Sequence, residues 1–392
     1  MKSRLATASH PEQLPAPSPE AAASSEKLAR LIAGEIRRGG GWIPFARYME
    51  LALYAPGLGY YMAGARKLGR DGDFVTAPEI SRLYGRTLAR QVAQLARLGF
   101  TEILEIGAGS GALAADLLTE LEALGCPPER YLILELSPDL RDRSRDTLAA
   151  RVPRLLERVA WLSRLLPSFA GIVIGNEVLD AMPVHVFERQ GARVVELGVT
   201  LGGGHFEWSP RDAGPAPVEP DPACFPADGY HSEIQFVARA FVKSVGETLA
   251  RGVALFVDYG FPRHEYYHPQ RARGTLMCHY RHRAHDDPFF LPGLQDITAH
   301  LDFSAIAQAG REGGLDLLGY TSQAQFLINC GITEILAETS ANDAVTYAPL
   351  AAQAHQLLSP AEMGELFKVI ALGKEVTVPL LGFTQGDRSH TL

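Results

Sequence analysis

The stretch Thr101-Glu102-Ile103-Leu104-Glu105-Ile106-Gly107-Ala108-Gly109-Ser110-Gly111 constrains the fold of this chain more than any other. A short apolar run leads into a glycine-rich turn. A helix follows, marked by Leu113, Leu117, Leu118, Leu121 and Leu124 at spacings of one, three and four. A strand, a glycine turn and a helix in succession let a ligand lie against bare backbone at a helix N-terminus. The glycines fall as GxGxG, whereas the dinucleotide fingerprint is GxGxxG. Glu105 stands two positions before the first glycine. A carboxylate there suits a ligand with a cationic amino group and would repel a pyrophosphate. On this stretch alone, a nicotinamide or flavin dinucleotide turn and a merely tight βα turn stay open as alternatives.

The rest of the chain fits around that unit. Tyr131–Glu135, Arg158–Leu162, Gly171–Gly175, Val253–Gly260, Leu315–Tyr320 and Phe367–Leu372 read as further strands. Together with the opening strand they make seven core strands. The continuous apolar run at Gly171–Gly175 suits a parallel strand buried on both faces. Strands alternating with helices predict an α/β, doubly wound sheet with helices on both faces. Ahead of the sheet, apolar spacing predicts helices over Glu26–Arg38, from Pro44, and from an N-cap at Ser81. Gly69–Ile80 reads as a polar loop. Two excursions interrupt the alternation. Val184–Tyr230 has a period of two, and Phe261–Gln295 is dense in His and Arg. A helix is expected between them, over Ser232–Leu249. The organisation expected is a disordered tail over 1–25, a helical lid region over 26–99, and an α/β domain over 100–392. That domain carries insertions at about 184–230 and 261–297.

Composition narrows the classes. The 392 residues carry a net charge of −8, so no global field attracts nucleic acid. The four cysteines form no CxxC pair, which argues against a zinc ribbon and for a reduced compartment. No run of about 18 apolar residues is present to span a membrane. The first 25 residues have a faint transit-peptide composition, but prolines at 11, 15, 17 and 19 oppose an amphipathic helix. The expectation is therefore a cytoplasmic protein.

Three places can carry chemistry. Glu135 ends the second strand, where an acid takes ribose hydroxyls in nucleotide-binding α/β folds. Asn176, Glu177 and Asp180 follow the fourth strand at the crevice beside the first. Carboxylates there can orient a guanidinium bidentately and accept the proton that leaves when nitrogen is alkylated. The plainer alternative is that Asp180 N-caps the next element and Asn176 holds the turn. His282, His285 and Asp286 invite a metal reading, but no helical frame sets their spacing. A substrate-facing or structural loop is the preferred reading there, with no metal.

Several ordered blocks together resemble the MidA family of class I methyltransferases, which includes a mitochondrial complex I assembly factor that methylates arginine. They include Arg47-Tyr48-Met49, Gly59-Tyr60-Tyr61, Gly72–Glu79, Leu104–Gly111 and Glu135-Leu136-Ser137. Asn176–Val184, Val257–Gly260, Asp296–His300 and Phe367-Lys368-Val369 continue the match to near the chain end. Met182 stands where Leu is usual, a swap of similar volume. The resemblance implies a Rossmann-like seven-stranded class I fold and S-adenosyl-L-methionine as cofactor. It implies that Glu105, Gly107, Gly109 and Gly111 bind the cofactor and Glu135 its ribose. A loop containing Asp73, Thr76 and Glu79 would close over it, and Asn176, Glu177 and Asp180 would face the acceptor. The implied reaction is methylation of an arginine of a protein partner. Methylation of another side chain or small molecule, a non-catalytic assembly chaperone and a dinucleotide oxidoreductase are the alternatives. The oligomeric state stays open.

Overall fold

In the computed structural model of the protein, residues 14–63, 76–212 and 221–392 are described. The chain divides into two compact units. The sheet unit comprises Val75–Leu179, Arg239–Gly260 and Phe303–Leu392, and the insertion unit comprises Met1–Phe74, Asp180–Ala238 and Phe261–Asp302.

The sheet unit begins with a four-residue helix α1 (Ala77–Ile80) and continues with α2 (Arg82–Arg97), N-capped by the Ser81 hydroxyl as expected. Strand β1 (Glu102–Ile106) leads through the glycine turn to α3 (Ala112–Ala123). Strand β2 (Arg130–Leu134), helix α4 (Pro138–Arg151), and strands β3 (Val159–Leu162) and β4 (Phe169–Asn176) follow. Then come β5 (Leu249–Phe261), β6 (Asp316–Ser322) and β7 (Phe367–Lys374). These strands lie in the order β3-β2-β1-β4-β5-β7-β6. The first five are mutually parallel, and β7 runs antiparallel to both β5 and β6. The α/β sheet expected from the sequence is what forms. Its core is built from Ile103 of β1, Ile172 and Ile174 of β4, and Val253 and Leu255 of β5. Against these pack Leu88, Val92 and Leu95 of α2 and the leucines of α3. Each such fully buried side chain contributes about 1.5–3 kcal/mol.

Strand order reverses between β1 and β4: the chain moves outward from β1 through β2 to β3, then returns to the other side of β1. Open α/β sheets bind ligands outside the carboxyl ends of the strands at such a reversal. Ile106 of β1 is in register with Gly175 of β4, so the glycine turn and the turn after β4 leave the sheet side by side.

In the insertion unit, the first helix spans Pro19–Arg38 and reaches back beyond the expected start at Glu26. Ser18 caps it and Pro19 occupies the first turn, where a helix readily accepts proline. Its buried face, Leu28, Ile32 and Ile36, packs with Phe45, Tyr48 and Met49 of the helix Phe45–Tyr54. Three strands of the first excursion, His185–Gln190, Arg193–Gly202 and His205–Asp212, pair antiparallel, in keeping with its period of two. The helix expected over Ser232–Leu249 starts only at Phe236, because His231–Ile234 is a strand paired with His185–Gln190. The reason is polar: Glu233 is buried and accepts bonds from Thr275 N–H, Thr275 Oγ1, Leu276 N–H and Tyr266 Oη. A buried carboxylate so satisfied by the second excursion holds its segment extended, whatever the apolar spacing favours.

Gly111, at φ +81°, N-caps α3. A Cβ there would stand 2.9 Å from Ser144 Cα and 3.0 Å from its carbonyl oxygen on α4. Gly111→Ala is therefore expected to lose about 2–4 kcal/mol of unfolding free energy in urea titration. A loss below about 0.5 kcal/mol would show that α4 yields without cost.

Candidate active site at the strand reversal

Gly107, Gly109 and Gly111 have φ of +67°, +54° and +81°, a left-handed run open to residues without a Cβ. Gly107 N–H donates to Leu134 O, extending the β1–β2 ladder by one bond into the turn. Gly107 is exposed, which leaves bare backbone at the crevice. A Cβ on Gly107 would come within 3.0 Å of Val178 Cγ2, so the two turns at the reversal touch at this residue. Gly111 is buried and serves the α3–α4 contact.

The two acids expected on the donor side have different surroundings. Glu135, just past β2, is buried, and its carboxylate accepts from Gly109 N–H at 3.1 Å and Ser137 N–H at 2.9 Å. Leu136 beside it is 64% exposed and adds an apolar surface that the sequence reading did not single out. Glu105 is buried within the sheet and accepts from Tyr131 Oη at 2.7 Å. Burial pushes its carboxyl up to about 7, the Tyr131 bond lowers it in part, and Glu135 adds a smaller upward push.

Thr76 precedes α1 and its carbonyl accepts from Glu79 N–H. Glu79 Oε1 accepts from the Ser110 hydroxyl of the glycine turn. Asp73 lies outside the described residues.

After β4, Glu177 is a non-glycine residue at φ +53°. Such a conformation costs of order 1 kcal/mol and persists where its surroundings impose it. Here strand β5 does so. Glu177 N–H donates to Val257 O at 2.8 Å. The buried Asp258 Oδ2 accepts from Val178 N–H at 3.2 Å and Leu179 N–H at 2.9 Å, and its Oδ1 from Tyr259 N–H. Glu177 Oε1 accepts from Asn176 Nδ2 at 3.0 Å and from Ala77 N–H of α1 at 3.3 Å. Asn176 Oδ1 accepts from the Tyr84 hydroxyl. Tyr84 and Asp258 are the residues of this site that sequence reasoning missed. One reads as part of the apolar face of a helix and the other as an ordinary strand end.

Asp180 belongs to the insertion unit. It is buried, and its carbonyl accepts from Ala299 N–H. No helix starts after it, so the N-cap alternative does not apply. His282 sits with Arg281 in the two-residue turn between the strands Met277–Tyr280 and Arg283–His285, both at positive φ. His285 is buried and accepts from Asp287 N–H, while Asp286 pairs with Arg273. Among the described residues, no three His, Cys, Asp or Glu side chains are grouped as a metal site.

The model of a family of S-adenosyl-L-methionine-dependent methyltransferases matches residues 83–321. The chain belongs to that family. Its methyl donor is S-adenosyl-L-methionine, and the resemblance read from the sequence holds. A COG1565 superfamily member from Burkholderia thailandensis, crystallised with S-adenosyl-homocysteine, is 54% identical with a TM-score of 0.95, covering 97% of this chain and 100% of that one. The protein named mitochondrial protein arginine methyltransferase NDUFAF7 in Danio rerio is 28% identical, over 88% of this chain and 89% of its own. The Mus musculus protein of that name is 29% identical, over 85% and 81%. These names correct the cytoplasmic location expected from the sequence, since these relatives are all named as mitochondrial proteins. No helix among the described residues is long and apolar enough to cross a membrane.

The chemistry of the donor side fits the cofactor: exposed left-handed glycine backbone, a buried acid at the end of β2, and a second buried acid in β1. That second acid has a stability signature. With a folded-state value of about 7 against an ordinary 4.5, Glu105 binds more protons when folded than when unfolded across that window. Stability contributed by the protonated form is therefore lost as pH rises from about 4.5 through about 7. Glu105→Gln is expected to raise the urea midpoint over wild type at pH ~8 and to leave it nearly unchanged at pH ~5. An equal effect at both pH values would contradict the assignment.

Proposed function

We propose that this methyltransferase acts on an arginine of a protein, with Glu177 as the carboxylate that addresses the guanidinium. The observation that carries this reading is Glu177 itself: a charged side chain kept in a strained left-handed backbone at the carboxyl end of β4, beside the glycine turn. A guanidinium is planar, always charged and rich in donors, and a carboxylate meets it in a forked geometry. The names of the 28–29% identical relatives support the arginine acceptor.

Bound S-adenosyl-L-methionine supplies an electrophilic methyl on a sulfonium. The chain's own residues do the rest. Gly107 and Gly109 present backbone to the cofactor, Glu135 accepts from its ribose hydroxyls, and Glu105 offsets its ammonium charge. Glu79 meets the glycine turn through Ser110, and Thr76 begins the short helix that carries Glu79. Gly111 acts through the α3–α4 contact, so its contribution is to the shape of the turn. Glu177 orients the guanidinium and accepts, at its carboxylate, the proton leaving the alkylated nitrogen. Asn176 holds that carboxylate in place. Catalysis is then mainly positioning and electrostatics. Asp180, in the insertion unit, is not drawn upon.

Incubation of the protein with labelled S-adenosyl-L-methionine and extract from a strain lacking it tests the acceptor. Mass spectrometry of labelled peptides should find methylarginine; label on lysine alone, or on no protein, overturns the reading. Glu177→Gln should bind S-adenosyl-homocysteine within about twofold of wild type and transfer label at least about a hundredfold more slowly. Loss of cofactor binding in that variant would place Glu177 on the donor side instead.

Glu105 makes a separate expectation. A cofactor ammonium favours the ionised carboxyl, so binding below pH ~7 releases a proton. The calorimetric affinity for S-adenosyl-homocysteine should therefore weaken as pH falls from about 7 to about 5.5, and Glu105→Gln should flatten that dependence. An affinity independent of pH in wild type would remove Glu105 from the cofactor's charge balance.

A further inference from the structure

We propose that Tyr84 is a positioning residue for methyl transfer, locking the Asn176 side-chain amide in the one orientation that presents a donor to Glu177. The inference rests on the role of Glu177 given above and extends it to a residue of α2.

An ionised carboxylate only accepts, so Asn176 must turn its Nδ2 toward Glu177 Oε1, as it does at 3.0 Å. That leaves Asn176 Oδ1 pointing the other way, in need of a donor. Tyr84 stands there with its hydroxyl directed at Oδ1. The phenol is buried, and desolvation together with the nearby Glu177 and Asp258 charges raises it well above its ordinary value, so it keeps the proton it gives. The chain of bonds thus has one direction: Tyr84 O–H to Asn176 Oδ1, then Asn176 Nδ2–H to Glu177 Oε1. Reversing the amide would set its carbonyl against the carboxylate and turn the Tyr84 hydroxyl from donor to acceptor, so the present orientation is the one that satisfies Glu177. Bonds aligned in series also polarise one another.

The Tyr84 ring needs no such role to be kept. It lies in the apolar core with Leu83, Leu88 and Ala89, and a phenylalanine would fill the same space. Only the hydroxyl is specific to the relay. Ala77 N–H shares Glu177 Oε1 with Asn176, so removing the hydroxyl weakens the Asn176 restraint on that oxygen and leaves the Ala77 bond in place.

Tyr84→Phe, Asn176→Ala and the double variant are compared for initial label transfer to extract protein at saturating S-adenosyl-L-methionine, and for S-adenosyl-homocysteine affinity by calorimetry. Tyr84→Phe should slow transfer about tenfold, the worth of one hydrogen bond to a charged network, with cofactor affinity within about twofold. The double variant should be no slower than Asn176→Ala, because the hydroxyl acts only through that amide. Multiplying effects, or a fall in cofactor affinity matching the fall in rate, would overturn the proposal.

A second readout does not depend on the acceptor. The Asn176 side-chain NH₂ resonances, assigned as those missing in Asn176→Ala, should shift in Tyr84→Phe. Unmoved resonances overturn the lock. If wild type labels no protein while the resonances move, the arginine reading falls and the lock stands.

Discussion

The site depends on one packing constraint: Gly107 and Val178 occupy adjoining space at the carboxyl ends of β1 and β4. The Ile106–Gly175 register carries both turns off the sheet at the same level, and the missing Cβ of Gly107 lets the Val178 side chain approach. The glycine turn and the turn carrying Glu177 are thereby held beside each other at the ends of parallel strands. Parallel strands buried on both faces resist slippage, because a one-residue shift would turn every side chain to the opposite face. The chemistry inherits the rigidity of the apolar core beneath it.

Two residues of the site work against the stability of the fold. Glu105 is a carboxyl placed inside the sheet, where water cannot reach its charge. Glu177 adopts a backbone conformation that a glycine would enter more easily. Each is held by neighbours whose geometry allows little else: the Tyr131 hydroxyl of the adjacent strand β2 for Glu105, and Val257 with Asp258 for Glu177. Where local preference and tertiary structure disagree in this way, function is the usual reason for the disagreement.

Much of the donor side was legible in the sequence, because its signals are local. A strand, three glycines and an acid at the next strand end keep their spacing whatever surrounds them. The strands of the sheet were legible for the same reason, as apolar runs between turn residues. What was hidden depends on distant partners. Tyr84 looks like any aromatic on a helix until Asn176, 92 positions away, is brought to its hydroxyl. Asp258 looks like a strand end until the backbone of 178 and 179 folds onto it. The strand His231–Ile234 was masked by an apolar spacing that continues into the following helix, while the decisive residue, Glu233, finds its partners in another excursion. The near-neutral titration of Glu105 follows from burial, which no spacing encodes.

Helix α1 is only one turn long, too short to be stable by its own hydrogen bonds. It is held from both sides: the Ser110 hydroxyl grips Glu79, and the Glu177 carboxylate accepts from Ala77. Four residues therefore act as a lever whose ends rest on the glycine turn and on the Glu177 carboxylate. A shift of the glycine turn is transmitted to Glu177 through the backbone of Ala77, Pro78 and Glu79. The two halves of the crevice cannot relax independently.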